Sequence, residues 1–188
     1  MTQQERPTLY LLDGPNMAFR AFFAMTGMVN SSGLPTNALF GFTNMLLKII
    51  RDEQPDYLAI TWDPKGGSFR NRLFPDYKGH RPDMPRELAE QFPRFKDLIE
   101  DMGIPYLCVD DYEADDVIGT LATRFGDAGD VWIVTGDKDM QQLVTERVKI
   151  FDPKKDQEIG LDGVADKFGC RPEQVIDVLG LMGDSSDN

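Results

Sequence analysis

Three apolar runs of this chain end in aspartate. Leu9-Tyr10-Leu11-Leu12 runs into Asp13-Gly14, and Tyr57-Leu58-Ala59-Ile60-Thr61-Trp62 runs into Asp63. Val131-Trp132-Ile133-Val134 runs into Thr135-Gly136-Asp137-Lys138-Asp139. Short apolar runs closed by turn residues read as buried strands. A further strand is expected over 104–109 and another over 148–151, with 157–161 as a pairing partner. Helical periodicity fills the intervals. It covers Met17 to Met25, then Leu39, Phe42, Met45, Leu46, Ile49 and Ile50 behind an N-cap at Thr36. It returns from Arg86 to Met102, with Pro93 as a bend, and from Glu113 to Phe125. Shorter helices are expected at 140–144, 163–168 and 172–181. Strands alternating with helices predict an α/β chain: a three-layer α/β/α domain around a central, mainly parallel sheet. Ligands of open α/β sheets bind outside the carboxyl ends of the strands, so the pattern gathers the aspartates on the functional edge.

The residue inventory removes several chemistries. His80 is the single histidine, which excludes an HExxH zinc site and disfavours a Ser-His-Asp triad. Cys108 and Cys170 are far apart and form no CxxC pair, and Cys108, inside an apolar run, reads as a buried core thiol. No GxGxxG follows the first strand and no GxxxxGK[ST] occurs, so dinucleotide and P-loop phosphate cradles are absent. No apolar run approaches the roughly 18 residues that span a bilayer, and the N-terminus lacks a signal pattern. The expected compartment is the cytoplasm, with no membrane partner.

The 188 residues carry 20 Lys+Arg against 32 Asp+Glu, a net charge of −12, which by itself argues against a phosphate-rich partner. The acids are 23 Asp and only 9 Glu, and Asp favours caps, turns and strand ends. Asp56 and Asp162 are expected as caps. Short carboxylates are also the ligands that hard divalent cations require. Besides Asp13, Asp63, Asp137 and Asp139, one helical turn holds Glu113, Asp115 and Asp116, and Asp184 and Asp187 form an i, i+3 pair. A lone Asp at a strand end is ordinarily a cap or turn residue. Nine together repel one another unless a cation sits among them. The conjunction therefore predicts a metal site, and two divalent ions about 4 Å apart are a common solution for phosphodiester cleavage. Segment 64–82 supplies the complement. It carries Lys65, Arg70, Arg72, Lys78 and Arg81 against Asp76, with Phe69, Phe74 and Tyr77 interleaved. Lys78 and Arg81 are suited to phosphate oxygens and Tyr77 or Phe74 to a base face. His80 is given no role.

At these residues the chain resembles the 5′→3′ exonuclease domains of bacterial DNA polymerase I, within the flap endonuclease family of 5′ nucleases. The matching stretches are Leu12-Asp13-Gly14 with Arg20, Trp62-Asp63, Phe69-Arg70, Tyr77-Lys78-Gly79-His80-Arg81-Pro82 and Tyr112-Glu113-Ala114-Asp115-Asp116. They continue with Thr135-Gly136-Asp137-Lys138-Asp139 and Gly183-Asp184-Ser185-Ser186-Asp187-Asn188. The resemblance implies a PIN-like catalytic domain over 1–188, with an arch within 64–100 through which a single-stranded 5′ end passes. It implies Mg²⁺, replaceable by Mn²⁺, at two or three ions per site. Asp13, Asp63, Glu113, Asp115 and Asp116 fall to the first ion, and Asp137, Asp139, Asp184 and Asp187 to the second. Lys78 would contact the scissile phosphate, Arg81 a phosphate nearby, and Tyr77 would stack on an unpaired nucleotide. Arg70 and Arg20 would be further DNA contacts. The implied substrates are DNA 5′ ends and flaps, with RNA primers on DNA as a further class, in primer removal and repair. The implied protein is a monomer, linked to a polymerase domain in full-length relatives.

In the family, the 183–188 motif leads into a helical segment that grips the downstream duplex. The sequence stops at Asn188, from which weak duplex binding and reduced activity are expected. Two other functions compete: a flap-binding module with little turnover, and a PIN-type ribonuclease. The second lacks the Tyr-Lys-Gly-x-Arg loop.

Overall fold

The computed structural model describes residues 6–183. Its centre is a six-stranded sheet of β1 (Thr8–Asp13), β2 (Tyr57–Trp62), β3 (Tyr106–Cys108), β4 (Asp130–Val134), β5 (Val148–Asp152) and β6 (Gln157–Ile159), in the order β3-β2-β1-β4-β5-β6. The first five strands of the chain run parallel and β6 closes the edge antiparallel. The chain begins in the middle, winds out through β2 to β3, then crosses back to β4. The winding direction therefore reverses between β1 and β4, where α/β sheets open a crevice at their carboxyl ends.

Both faces of the sheet are covered, so the strands read as nearly continuous apolar runs. Alternation sends Tyr10 and Leu12 of β1, Ile60 and Trp62 of β2 and Val134 of β4 to one face. There they meet α1 (Gly14–Ala24), α2 (Asn37–Glu53) and α4 (Arg86–Asp101) through Met17, Phe42, Leu46, Leu88, Phe95 and Ile99. Leu9, Leu11, Ala59, Val131 and Ile133 point the other way. They pack on α5 (Ala114–Phe125), α6 (Leu161–Phe168) and α7 (Val175–Met182) through Ile118, Ala122, Val164 and Val175. The remaining helix, α3 (Phe69–Leu73), is little more than one turn in the basic segment. No helix among the described residues is long and apolar enough to cross a membrane.

Several sequence expectations shift. The first helix starts at Gly14 rather than Met17, because Asp13 itself is its N-cap and Pro15 lies in its first turn. Segment 140–144 is a 3₁₀ turn over Asp139–Leu143, and 172–181 divides into a 3₁₀ turn (Pro172–Gln174) and α7. Pro93 sits inside α4 without ending it. Thr36 holds the N-cap position of α2 but makes no side-chain cap bond. The buried Gln91 of α4 replaces it: its Oε1 accepts from Ala38 N at 3.0 Å and Leu39 N at 3.2 Å. Its Nε2 donates to Asn37 Oδ1 and Glu87 O, both at 2.9 Å. Cys108 is exposed rather than a core thiol, because β3 is a three-residue edge strand and Cys108 is its last residue. Asp56 caps no helix; it accepts from the Thr8 amide and hydroxyl and ties the start of β1 to the turn before β2. Asp162 lies in the first turn of α6, whose N-cap is Gly160.

Gly14 sets how closely α1 approaches β2. A Cβ there would lie 2.3 Å from Trp62 Cε3 and 2.7 Å from the Thr61 carbonyl oxygen. Trp62 cannot yield, since it packs on Phe92, Phe95 and Tyr106 at centroid distances of 5.1, 5.4 and 5.7 Å. Gly14→Ala is therefore expected to lower unfolding stability by about 1–3 kcal/mol through overpacking, measured by urea denaturation. An unchanged midpoint would contradict this close packing.

Candidate active site

The reversal point is built around a buried carboxylate. Asp13, 5% exposed, ends β1 with both oxygens engaged. Oδ1 accepts from Asn16 N at 3.1 Å as the cap of α1, and Oδ2 accepts from Thr135 Oγ1 at 2.8 Å. Thr135 follows β4, and its hydroxyl accepts from Asp137 N at 3.0 Å. Asp137 Oδ1 in turn accepts from Asp139 N at 2.9 Å. Asn16 Oδ1 closes the ring by accepting from Gly136 N at 3.0 Å. Across β1, Asp63 follows β2 and accepts from Ala114 N, the first amide of α5, at 2.8 Å. Asp115 in the same helical turn faces this group.

The basic segment folds back onto the start of α5. Glu113 accepts from Ser68 Oγ at 3.2 Å, Tyr77 OH at 3.1 Å and Lys78 Nζ at 3.2 Å. Arg70 makes a two-pronged pair with Asp116 at 2.7 and 2.8 Å, and Arg72 pairs with Asp111. Overlapping turns shape the tip, with Tyr77, Gly79 and Arg81 amides donating to the carbonyls of Phe74, Asp76 and Lys78. They hold Lys78 at φ +58°, a left-handed conformation uncommon for a residue with a side chain. Arg20 pairs with Asp152 at 2.9 Å, and its guanidinium lies against Gly136.

Five carboxylates, those of Asp13, Asp63, Asp115, Asp137 and Asp139, line one cleft of about 280 Å³ with Tyr77, Lys78 and Arg81. Glu113 and Asp116 line an adjoining cleft of about 660 Å³ with Arg70, and the two share Tyr77, Asp115 and Asp139. The sequence-predicted acids thus divide in two: five face the cleft below Lys78, while Glu113 and Asp116 are engaged by cations of the basic segment. Asp184 and Asp187 lie outside the described residues. His80 is exposed on the tip. Thr135, Asn16 and Ser68 were not singled out from the sequence. Thr135 was visible only as part of the Thr-Gly-Asp-Lys-Asp stretch, where nothing marks its hydroxyl as the bridge between Asp13 and Asp137.

The electrostatics follow the geometry. Burial raises the Asp13 carboxyl to about 6 against its bonds from Thr135 and Asn16, and the charges of Asp63 and Asp137 add to the rise. Burial, then Asp13, Asp137 and Asp63, raise Asp115 to about 7. The Arg70 bonds keep Asp116 below the usual carboxylate range. Burial works against the Lys78 ammonium, but Glu113 and Tyr77 beside it outweigh burial and hold it above its ordinary value. Among the described residues no three acidic, cysteine or histidine side chains are drawn into a ready-made ligand set. The cleft still fits hard divalent cations in its chemistry. Its donors are carboxylate oxygens, and their mutual repulsion is the kind a cation relieves.

The chain has known relatives in both sequence and fold. The family profile described as "5'-3' exonuclease, N-terminal resolvase-like domain" matches residues 8–169. The chain is 42% identical over 182 residues to a 5'-3' exonuclease of Aquifex aeolicus, covering 96% of this chain and 63% of that protein. It is 42% identical over 185 residues to DNA polymerase I of Bacillus caldotenax, covering 96% of this chain and 21% of the polymerase. The chain therefore spans about a fifth of its polymerase relative. Among solved structures, a phage T5 protein co-crystallised with metal ions superposes with a TM-score of 0.75 at 25% identity, over 96% of this chain and 68% of that one.

The raised carboxyls make a signed prediction. Folded Asp13 and Asp115 retain protons that the unfolded chain, near pKa 3.8, has released, so metal-free stability falls as pH rises from about 4 to about 7. The depressed Asp116 and Asp152 act only below that window. In a chelating buffer the urea midpoint should be lower at about pH 7.5 than at about pH 5, Asp115→Asn should flatten the difference, and Mg²⁺ should restore the midpoint at the higher pH. A midpoint that climbs across the window, or an unaltered slope in Asp115→Asn, would contradict the repulsive cleft.

Proposed function

The chain belongs to the 5′-3′ exonuclease family, and on that premise we propose that it hydrolyses phosphodiester bonds at the 5′ ends and 5′ flaps of DNA. The observation that carries the reading is the cleft at the β1/β4 reversal, where five carboxylates face Lys78, Arg81 and Tyr77. Asp13, Asp63, Asp115, Asp137 and Asp139 would hold divalent cations, Mg²⁺ with Mn²⁺ as substitute, with Glu113 and Asp116 at their margin and Asp184 and Asp187 as further ligands. Such ions, when bound, supply water activation and neutralisation of the phosphodiester charge. The phage T5 relative co-crystallised with metal ions supports this assignment.

The other groups act through charge and shape. Lys78, held toward the cleft by its turn and by Glu113, exchanges that carboxylate for an oxygen of the scissile phosphate, where negative charge builds in the transition state. Arg81, lining the same cleft, takes a neighbouring phosphate. Tyr77 offers a ring face to an unpaired base while its hydroxyl anchors the loop on Glu113. Arg70 and Arg20 are each engaged by a carboxylate, so a DNA contact by either requires exchange of that partner for a phosphate. The reading includes a role in primer removal and repair, alongside a polymerase domain in longer relatives, and a cytoplasmic setting.

Cleavage of an end-labelled 5′-flap DNA in Mg²⁺, abolished by EDTA, tests the proposal; binding without cleavage in Mg²⁺ or Mn²⁺ would favour a flap-binding module. Lys78→Ala should lower the rate at saturating DNA by about 10²–10³-fold, the usual cost of removing one aimed donor. An unaltered rate would remove Lys78 from the reaction. Asp137→Asn should raise the divalent concentration needed for half-maximal rate, and an unchanged metal dependence would refute that ligand.

A further inference from the structure

Several cations of this acidic chain have a carboxylate partner: Lys48 has Asp156, Arg20 has Asp152, Arg70 has Asp116, Lys78 has Glu113 and Lys149 has Glu158. Lys154, Lys155 and Lys167 are among the described cations that do not, as are Lys65, Arg94, Arg124 and Arg147, but these first three lie on one side of the acid cleft. Among the described residues none of the three is in an ion pair, and Lys167 makes only a cation–π contact with Phe168, 4.9 Å to the ring centroid. All three are exposed.

Their position follows from the topology. Thr135 N donates to Phe151 O at 3.2 Å, so the ends of β4 and β5 lie side by side. Asp152 ends β5 and accepts the Lys154 amide at 3.0 Å, which holds the Lys154–Lys155 turn on the same edge as Asp137 and Asp139. Lys167 lies in the last turn of α6, the helix that follows β6 and packs against it. Burial, then the charges of Lys155 and Lys138, pull its ammonium below the ordinary lysine value, while Asp137 and Asp139 act in the opposite sense. Lys155 and Lys167 are therefore within electrostatic reach of each other, and Lys167 of Lys138, Asp137 and Asp139. Gathering like charges costs free energy, and a polyanion bound across them offsets it.

The cleft thus has a basic flank on each side, the 64–82 segment toward β2 and β3 and the lysines toward β5. We propose that Lys155 and Lys167, with Lys138 beside the acids, bind the phosphodiester backbone of the substrate on the β5 side, so that the strand crosses the sheet edge from Arg81 to Lys167. Lysines meeting phosphates carry no base information, so the contact is independent of sequence. The proposal rests on the nuclease reading above and adds a second anchoring surface to it.

The test is flap-DNA affinity as a function of salt, in Ca²⁺ or EDTA so that no turnover intervenes, for the wild type and for Lys155→Ala/Lys167→Ala. The double variant should bind several-fold more weakly on every sequence tried, and its slope of log affinity against log salt should be shallower by about 2, roughly one per lost phosphate contact. Lys155→Arg/Lys167→Arg should restore the slope, and thermal unfolding of all variants reports their folding. A wild type that binds with a slope unchanged in the double alanine variant overturns the lysine surface alone. A wild type that neither binds nor cuts flap DNA overturns the nuclease reading and the surface with it.

Discussion

Asp13, a buried carboxylate at the carboxyl edge of the sheet, ties the elements of the cleft together. Asp13 caps α1, accepts the Thr135 hydroxyl and lies at the end of the central strand, so three elements meet on its two oxygens. Together with the β1/β4 ladder and the Asn16–Gly136 bond, those bonds fix the loop after β4 against β1 and set Asp137 and Asp139 at the reversal point. The same burial makes Asp13 a poor anion, and Asp63 and Asp137 add their repulsion. The centre that organises the fold is thus also its point of greatest electrostatic stress, a common condition of functional sites.

The basic segment neutralises acids at the margin of that cleft rather than within it. Lys78, Arg70 and Arg72 pair with Glu113, Asp116 and Asp111, so the loop proposed to hold substrate serves as counter-charge for the acids when substrate is absent. A net charge of −12 is then compatible with a phosphate-rich partner, because the acids and bases are not spread evenly. They alternate along one sheet edge, basic loop, acid cleft, lysine turn. On the proposed function, binding would be an exchange of partners in which intramolecular pairs are traded for metal and phosphate, so that local pairing and order at that edge matter more than total charge.

Much of this edge was legible in the residues, and the reasons differ by element. The strands ending in Asp13, Asp63 and Asp137 announced themselves because strands covered on both faces must be continuous apolar runs, and α/β topology leaves their ends on one side. The non-local bonds were hidden. Gln91 caps a helix more than fifty positions earlier in the chain, and Thr135 bridges two acids from different strands, and no local pattern encodes either. Cys108 was misread because an apolar run does not reveal that its strand is a three-residue edge. The division of the acids between cleft and cation-paired margin depends on which of them Arg70 and Lys78 reach, and the lysine turn gained meaning only when β5 came to lie beside β4.

On the proposed function, the carboxylates below Lys78 form a cation site organised by Asp13. Anomalous diffraction from crystals soaked in Mn²⁺ tests it most directly. Peaks are expected within ligand distance of Asp13, Asp115 and Asp137, and are expected to be lost in Asp13→Asn crystals. Mn²⁺ found only elsewhere on the surface, or undiminished in the Asp13→Asn protein, would contradict it.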